Sequence, residues 1–175
     1  GGTFNNNAFS MAVGAAVGEA LVDAASLAAV NELGERLRAG LDARFAITRL
    51  GLGRKVASLT TVGTPHLGTP VADVGTGLAG RARLLDALCG MDVDVAAFQD
   101  LTTARMTAFN AAVPDHRGVA YGSVVGVAAS MREVNPLLLP TWLWLGERAG
   151  ESDGLVPAAS QRWGEVVRTV AADHL

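Results

Sequence analysis

Asp153 and His174 are the two residues whose types and spacing most directly suggest chemistry. Asp153 lies in the charged turn ESDG ahead of an apolar run, and His174 follows twenty-one residues later. A carboxylate can fix the tautomer of an imidazole and stabilise the imidazolium, while the imidazole takes the proton of a serine. An acid on a loop followed by a late histidine is the second half of a Ser–Asp–His order. Local sequence alone also permits a plain Ser-Asp-Gly turn.

A second candidate site follows an apolar stretch that predicts a strand over Val56–Val62, buried on both faces. The chain continues directly with Gly63-Thr64-Pro65-His66. Ligands of parallel α/β sheets bind beyond the carboxyl ends of the strands, which would put this turn on the functional edge. His66 is equally compatible with a simple turn. His116, in the polar stretch PDHRG, is typical of a solvated surface.

Asp92 and Asp94 alternate along MDVDV and would face the same side of a strand. Paired carboxylates can serve glycoside hydrolysis or bind a cation. No further cluster of ligands accompanies them in the sequence, so a solvated edge is the favoured interpretation. We therefore predict no metal site and no cofactor.

The elements that must position these groups alternate between helix and strand. Alanine-rich sequence from Ala8, followed by apolar residues at helical spacing, predicts helix to about Leu50, with Gly51 as its cap. Beyond the first strand the pattern predicts loosely helical sequence over 68–95, a helix over 103–112 capped by Asp100 or Thr102, a strand over Val119–Val127, and a third strand or helix end over Glu165–Val170. This order favours an α/β architecture with a mostly parallel sheet. Prolines interrupt the stretch around Trp142 and Trp144, whose expected role is core or lid packing.

Composition narrows the class of protein. The 175 residues are 50% hydrophobic and 18% charged, which is typical of one globular domain. The net charge of −3 and the lack of a lysine or arginine cluster exclude a nucleic-acid surface. No apolar run approaches the roughly 20 residues of a membrane span. We expect a soluble protein, with cytoplasmic and secreted locations both open.

Five stretches carry a family resemblance, and they occur in the order LDARFAITRLGLG, VASLTTVGTPHLGTPVAD, FQDLTTARMTAFN, ESDGLVPAAS and ADHL. Over about residues 40–175 the chain resembles bacterial triacylglycerol lipases and related esterases of the α/β-hydrolase fold. The resemblance implies a partial α/β-hydrolase-like sheet and hydrolysis of acyl esters or lipids. It also implies that Asp153 is the triad acid and His174 the triad base. Gly63, Thr64 and His66 would lie at the rim of the acyl pocket, with His66 shaping the pocket.

The chain departs from this family in the region before LDARF. The family has its nucleophile elbow, Gly-x-Ser-x-Gly, at that point, whereas this chain has GERLRAG, and the serine position falls at about Leu37. Ser10 and Ser26 lack the flanking glycines and follow no hydrophobic strand, so neither fits an elbow. Relatives continue beyond His174 with a carboxylate used for calcium, so no metal site is carried over. We predict a single incomplete domain, with a helical segment unlike the family over 1–39 and family-like sequence over 40–175.

Two functions follow from this mixture of features. The first is a lipase-like or esterase-like carboxylic ester hydrolase that has the acid and base but no recognisable nucleophile. The second is a catalytically inactive, truncated homologue that acts as an apolar binding or interaction domain. In either case a sheet with missing neighbours exposes an edge, and exposed edges favour self-association.

Overall fold

The computed structural model describes residues 40–76, 100–136 and 138–174. The first described element, helix α1, is described over residues 40–49 and is followed by Gly51 in the left-handed region, at a φ of 73°. Leu41, Arg44 and Ile47 recur every three residues and form its buried face. The predicted helix end is thereby confirmed.

Several predictions lie outside the described residues. They concern the helical segment 1–39 with Ser10, Ser26 and Leu37, and the carboxylates Asp92 and Asp94. The division into one incomplete domain with two unlike segments also stays a prediction.

The sheet has three parallel strands in the order β1-β2-β3: β1 (Ser58–Val62), β2 (Ala120–Val127) and β3 (Glu165–Ala171). The parallel sheet and the third strand are therefore confirmed. Val62 pairs with Val124, so the carboxyl ends of β1 and β2 lie at the same edge of the sheet.

Burial corrects one expectation about the first strand. Thr61 is buried, but Val62 next to it is 65% exposed, so β1 is not buried on both faces. The reason is that successive side chains point to opposite faces, and the start of α1 packs against the face that carries Thr61. The strand that is buried on both faces is the central one, β2, where Ser123 and Val125 are enclosed and so is Gly126 on the opposite face.

Four further helices follow β1 in the described ranges: α2 (Pro70–Thr76), α3 (Thr103–Ala112), α4 (Leu139–Arg148) and α5 (Ala158–Gln161). The predicted cap of α3 is confirmed, because the Thr102 side chain accepts a hydrogen bond from the amide of Arg105. Helix α4 was not predicted, since its prolines indicated an interruption. Pro140 lies in the first turn of α4, where a missing N–H costs no helical hydrogen bond.

The main apolar cluster lies beyond the carboxyl end of β2. Its buried members are Ala72, Ala128, Val134, Leu138, Leu155 and Val156. Trp142 packs against this cluster and donates its indole N–H to the carbonyl of Ala128 at 3.0 Å. The loop that carries Asp153 is thus anchored from one side by a packed core. None of the helices in the described ranges combines the length and apolar character that a bilayer-spanning helix requires.

Candidate active site

The Asp153 carboxylate is enclosed by backbone donors of its own loop. Its Oδ1 accepts hydrogen bonds from the amides of Leu155 at 3.0 Å and Val156 at 2.8 Å. Gly154 lies between Asp153 and Leu155 and has a φ of 96°, which lets the chain turn tightly around the carboxylate. Asp153 is 1% exposed. The Ser-Asp-Gly turn is therefore real, and it also serves to hold a buried acid in one orientation.

His174 reaches this carboxylate from just beyond β3. Its amide donates to the Asp153 carbonyl at 2.9 Å, and its Nδ1 is hydrogen-bonded to Asp153 Oδ2. An ionised carboxylate only accepts, so this contact assigns a hydrogen to Nδ1, and in the neutral imidazole Nε2 then has the lone pair. Within the described ranges, Nε2 forms no hydrogen bond. The two residues singled out from their spacing are thus brought together in the arrangement that prepares an imidazole to accept a proton.

The turn after β1 contacts the imidazole. Gly63 has a φ of 62°, and a Cβ built on it would lie 3.2 Å from Cε1 of His174. Thr64 is buried, and a Cβ on Gly40 would lie only 2.5 Å from its Oγ1. Gly40 of α1, the end of β1 and the imidazole therefore meet at one edge of the sheet.

His66 lies in a buried polar cluster. Arg44 donates from Nη1 to His66 Nδ1 at 3.3 Å, and Thr61 Oγ1 is 2.8 Å from Nε2. Because an arginine can only donate, Nδ1 is the acceptor and the ring is the neutral Nε2–H tautomer. Burial, reinforced by the positive charge of Arg44, lowers the pKa of His66 to about 3. His66 is fully buried and stacks on Trp163, with ring centroids 5.3 Å apart. The role of Gly63, Thr64 and His66 at a pocket rim stays a prediction.

Arg44 is the centre of this cluster and was not singled out from the sequence. Its Nη1 donates to Asn110 Oδ1 at 2.8 Å, its Nη2 donates to the Val113 carbonyl at 3.3 Å, and its guanidinium lies 3.7 Å from the Trp163 ring centroid. Burial lowers the pKa of Arg44 below its usual value. Its spacing in the sequence could have indicated it: Arg44 lies three residues after the apolar Leu41 and so shares the buried face of α1.

Gln161 is the second residue of this site that no sequence pattern indicated. It is fully buried, and its Nε2 donates to Asp153 Oδ2 at 3.0 Å. A neutral amide in AASQRW gives no recognisable chemical signal, so nothing in the sequence distinguished it. His116, expected on the surface, is half-buried, and its Nδ1 accepts from the amide of Gly118. In the described ranges no three metal-ligating side chains lie together.

Comparison with known proteins agrees with this geometry, although no protein-family model matches the chain. Over 140 residues the chain is 34% identical to triacylglycerol lipase 2 of Saccharomyces cerevisiae, covering 78% of this chain and 42% of that protein. Among solved structures it is similar to the mature form of Bacillus licheniformis lipase BlEst2, with 26% identity and a TM-score of 0.60, covering 78% of this chain and 55% of that one. It is also similar to a metagenomic carboxyl esterase, with 25% identity and a TM-score of 0.65, covering 78% and 42% of the two chains.

A parallel sheet with an acid and a histidine at its carboxyl edge is part of an α/β-hydrolase-like fold. The curated relative and the structural neighbours support a lipase or esterase family of that fold. It spans less than half of the curated relative, 42% of its length.

Proposed function

We propose that this chain carries the acid and base of a carboxylic ester hydrolase that acts on acyl esters or lipids. Asp153 is the acid that orients the imidazole, and His174 is the general base. The observation that carries the proposal is the hydrogen bond between His174 Nδ1 and Asp153 Oδ2, which leaves Nε2 as a proton acceptor. The relatives with lipase and esterase activity in their names support the same reaction class.

In this reaction His174 Nε2 takes the proton of a serine hydroxyl while the serine oxygen attacks the ester carbonyl carbon. The tetrahedral intermediate collapses to an acyl-serine, and the alcohol leaves with the proton held by His174. Water then repeats the sequence: it gives a proton to His174 as it attacks the acyl-serine, and the acid leaves as the serine oxygen takes that proton back from His174. Asp153 stays ionised throughout and stabilises the imidazolium formed in each half.

The nucleophile is the part of the site that the sequence does not supply. Gly40 packs on the turn beside His174, and the family resemblance puts the nucleophile serine three positions before Gly40 in the sequence. Leu37 occupies that position. A leucine has no nucleophilic atom, so we expect the chain as it stands to form no acyl-enzyme through this position.

An inactive homologue that binds apolar partners is the second candidate function. Three large apolar side chains on or near α2 and α4 favour it: Leu67 is 48% exposed, Val74 58% and Leu143 49%. Isolated exposed apolar residues are common on protein surfaces, so covalent reactivity decides between the two functions.

The first prediction concerns reactivity toward a fluorophosphonate probe, read by intact mass and peptide mapping. We expect no His174-dependent adduct on the natural chain. The variant Glu35→Gly/Leu37→Ser/Ala39→Gly restores Gly-x-Ser-x-Gly, and we expect it to gain one adduct, at position 37. His174→Ala added to this variant should lower the labelling rate at least about a hundredfold, within the range by which a general base accelerates reaction.

The matched control is Glu35→Gly/Leu37→Ala/Ala39→Gly, which has the same glycines but no hydroxyl. A folded restored variant that is not labelled would overturn the proposed role of Asp153 and His174. A His174-dependent adduct at Ser10 or Ser26 of the natural chain would support ester hydrolysis with a relocated nucleophile. It would contradict only the expectation that the natural chain is unreactive.

A further inference from the structure

Gln161, at the end of α5, pairs with the backbone of the central strand. Its Oε1 accepts from the amide of Gly126 at 2.7 Å, and its Nε2 lies 3.1 Å from the carbonyl of the same residue. A side-chain amide that bonds both groups of one peptide residue replaces a strand neighbour. Gln161 is fully buried, so these bonds are shielded from water.

The position of this pairing follows from the end of β1. The carbonyl of Val124 accepts from the amide of Gly63, so the polar groups of Val124 point toward β1. Backbone groups two residues apart on a strand point to the same side, and those of Gly126 therefore also point toward the β1 side. Since β1 has ended there, the Gln161 amide supplies the partners that buried peptide groups require.

The same amide also reaches the candidate acid. Nε2 of Gln161 lies 3.0 Å from Asp153 Oδ2, the oxygen that is bonded to His174, and 3.0 Å from the carbonyl of Val156. An amide nitrogen has two hydrogens, so three acceptors at these distances share them. An unbroken series of hydrogen bonds thus leads from the central strand through Gln161 and Asp153 to the imidazole.

We propose that Gln161 is the positioning residue of the acid–base pair. Its side-chain amide is hydrogen-bonded to the backbone of β2 and to Asp153 Oδ2, and it thereby holds Oδ2 against His174 Nδ1. It acts through Asp153 and touches neither substrate nor nucleophile. The inference rests on the proposed function for its importance to catalysis. The positioning itself is a property of the hydrogen bonds and is measurable without any reaction.

Gln161→Glu separates positioning from packing. Glutamate has nearly the same shape, and one oxygen can still accept from the amide of Gly126. Its other oxygen would stand where Nε2 stands, against Asp153 Oδ2. A carboxylate there has no hydrogen to donate and repels Asp153, and a protonated carboxyl has one hydrogen for three acceptors and adds a proton beside Asp153. In both cases the bond between Asp153 Oδ2 and His174 Nδ1 changes. Gln161→Met is the second variant. It keeps the length of the side chain and removes the hydrogen-bond donor without adding a charge.

The test is NMR of the imidazole of His174 in the full-length chain, with circular dichroism as the check on folding. In the natural chain we expect a far-downfield Nδ1 proton and nitrogen shifts of the Nδ1–H tautomer. Gln161→Glu and Gln161→Met should lose or shift that proton. In the restored-serine background they should slow fluorophosphonate labelling by about tenfold or more.

The matched control is Ser160→Ala, on the same short helix, which removes bonds to the amide of Leu67 and the carbonyl of Gly68. It should leave the His174 signals unchanged. Folded Gln161 variants with natural His174 signals would overturn the positioning role. If the Gln161 variants move the signals while the restored serine stays unreactive, the proposed function fails and the positioning role stands.

Discussion

Gly63 shows how much of the site depends on a single missing Cβ atom. Its φ of 62° lies in the region that L side chains avoid, and a Cβ there would press on the imidazole of His174. The glycine therefore serves two purposes: it allows the left-handed backbone, and it leaves room for the imidazole of His174. The two purposes can be measured separately, because Gly51 also has left-handed backbone but no neighbour that a Cβ would contact.

We predict that Gly63→Ala lowers the free energy of unfolding by about 1–2 kcal/mol, the usual cost of left-handed backbone for a residue with a Cβ. It should also shift the imidazole resonances of His174. Gly51→Ala is the matched control, since Gly51 has a φ of 73° and no atom within 4 Å of its built Cβ. Urea unfolding and NMR of both variants check this. Unchanged His174 resonances in Gly63→Ala would contradict the contact.

At the scale of elements, the cluster around His66 joins α1, α3 and the turn after β1. Arg44 comes from α1 and Asn110 from α3, and both bond residue 66: one its ring and the other its carbonyl. The bond from Arg44 requires a neutral ring, because Nδ1 must accept it. The end of β1, and with it Gly63, is thus tied to two helices by a cluster that disfavours a proton on His66.

This cluster predicts a dependence of stability on pH. The pKa of His66 is about 3 in the folded chain, against an ordinary value of 6.5. Between those values the unfolded chain binds a proton that the folded chain does not, so stability falls as the pH falls. The slope is at most about 1.4 kcal/mol per pH unit.

His66→Gln should remove this part of the slope, measured as urea midpoints between about pH 6.5 and the lowest pH at which the chain remains folded. His116→Gln, at a half-buried histidine in a polar turn, should retain it. If the urea midpoints of the natural chain and His66→Gln depend on pH in the same way, His66 binds a proton as readily in the folded chain as in the unfolded chain, and the prediction is wrong.

The same elements show what sequence could and could not predict. Strand and helix positions followed from apolar spacing and a threonine cap. Asp153 and His174 were suggested by their order along the chain and by the family resemblance, and the structure brings the two side chains together. Helix α4 was missed because a proline at a helix start has the same sequence appearance as one that breaks a helix. Gln161 and Arg44 were missed because their roles depend on partners distant in sequence, which local patterns do not contain.

For the whole molecule, the two edge strands of the described sheet are the features that most favour association between copies. In the described sheet β1 and β3 each have one neighbouring strand. Val62 is 65% exposed on β1, and Val167 is 59% exposed on β3. Apolar side chains along strands with one neighbour favour pairing between copies.

We predict that the purified chain self-associates, with a weight-average mass in sedimentation velocity that rises with concentration. Val62→Lys should reduce this rise, because a charge on an edge strand opposes pairing. Val74→Lys is the matched control, since Val74 is 58% exposed but lies on α2. A chain that sediments as a monomer at every concentration would contradict the prediction.

The hydrogen bonds around Asp153 also determine how the imidazole moves. Four donors converge on one carboxylate: the amides of Leu155 and Val156, the side chain of Gln161, and His174 itself. We therefore expect the imidazole of His174 to leave this position only in rare local openings, because the bonds that hold its partner Asp153 are buried. On the nanosecond timescale we expect it to move as little as the central strand does, although His174 lies beyond the end of β3.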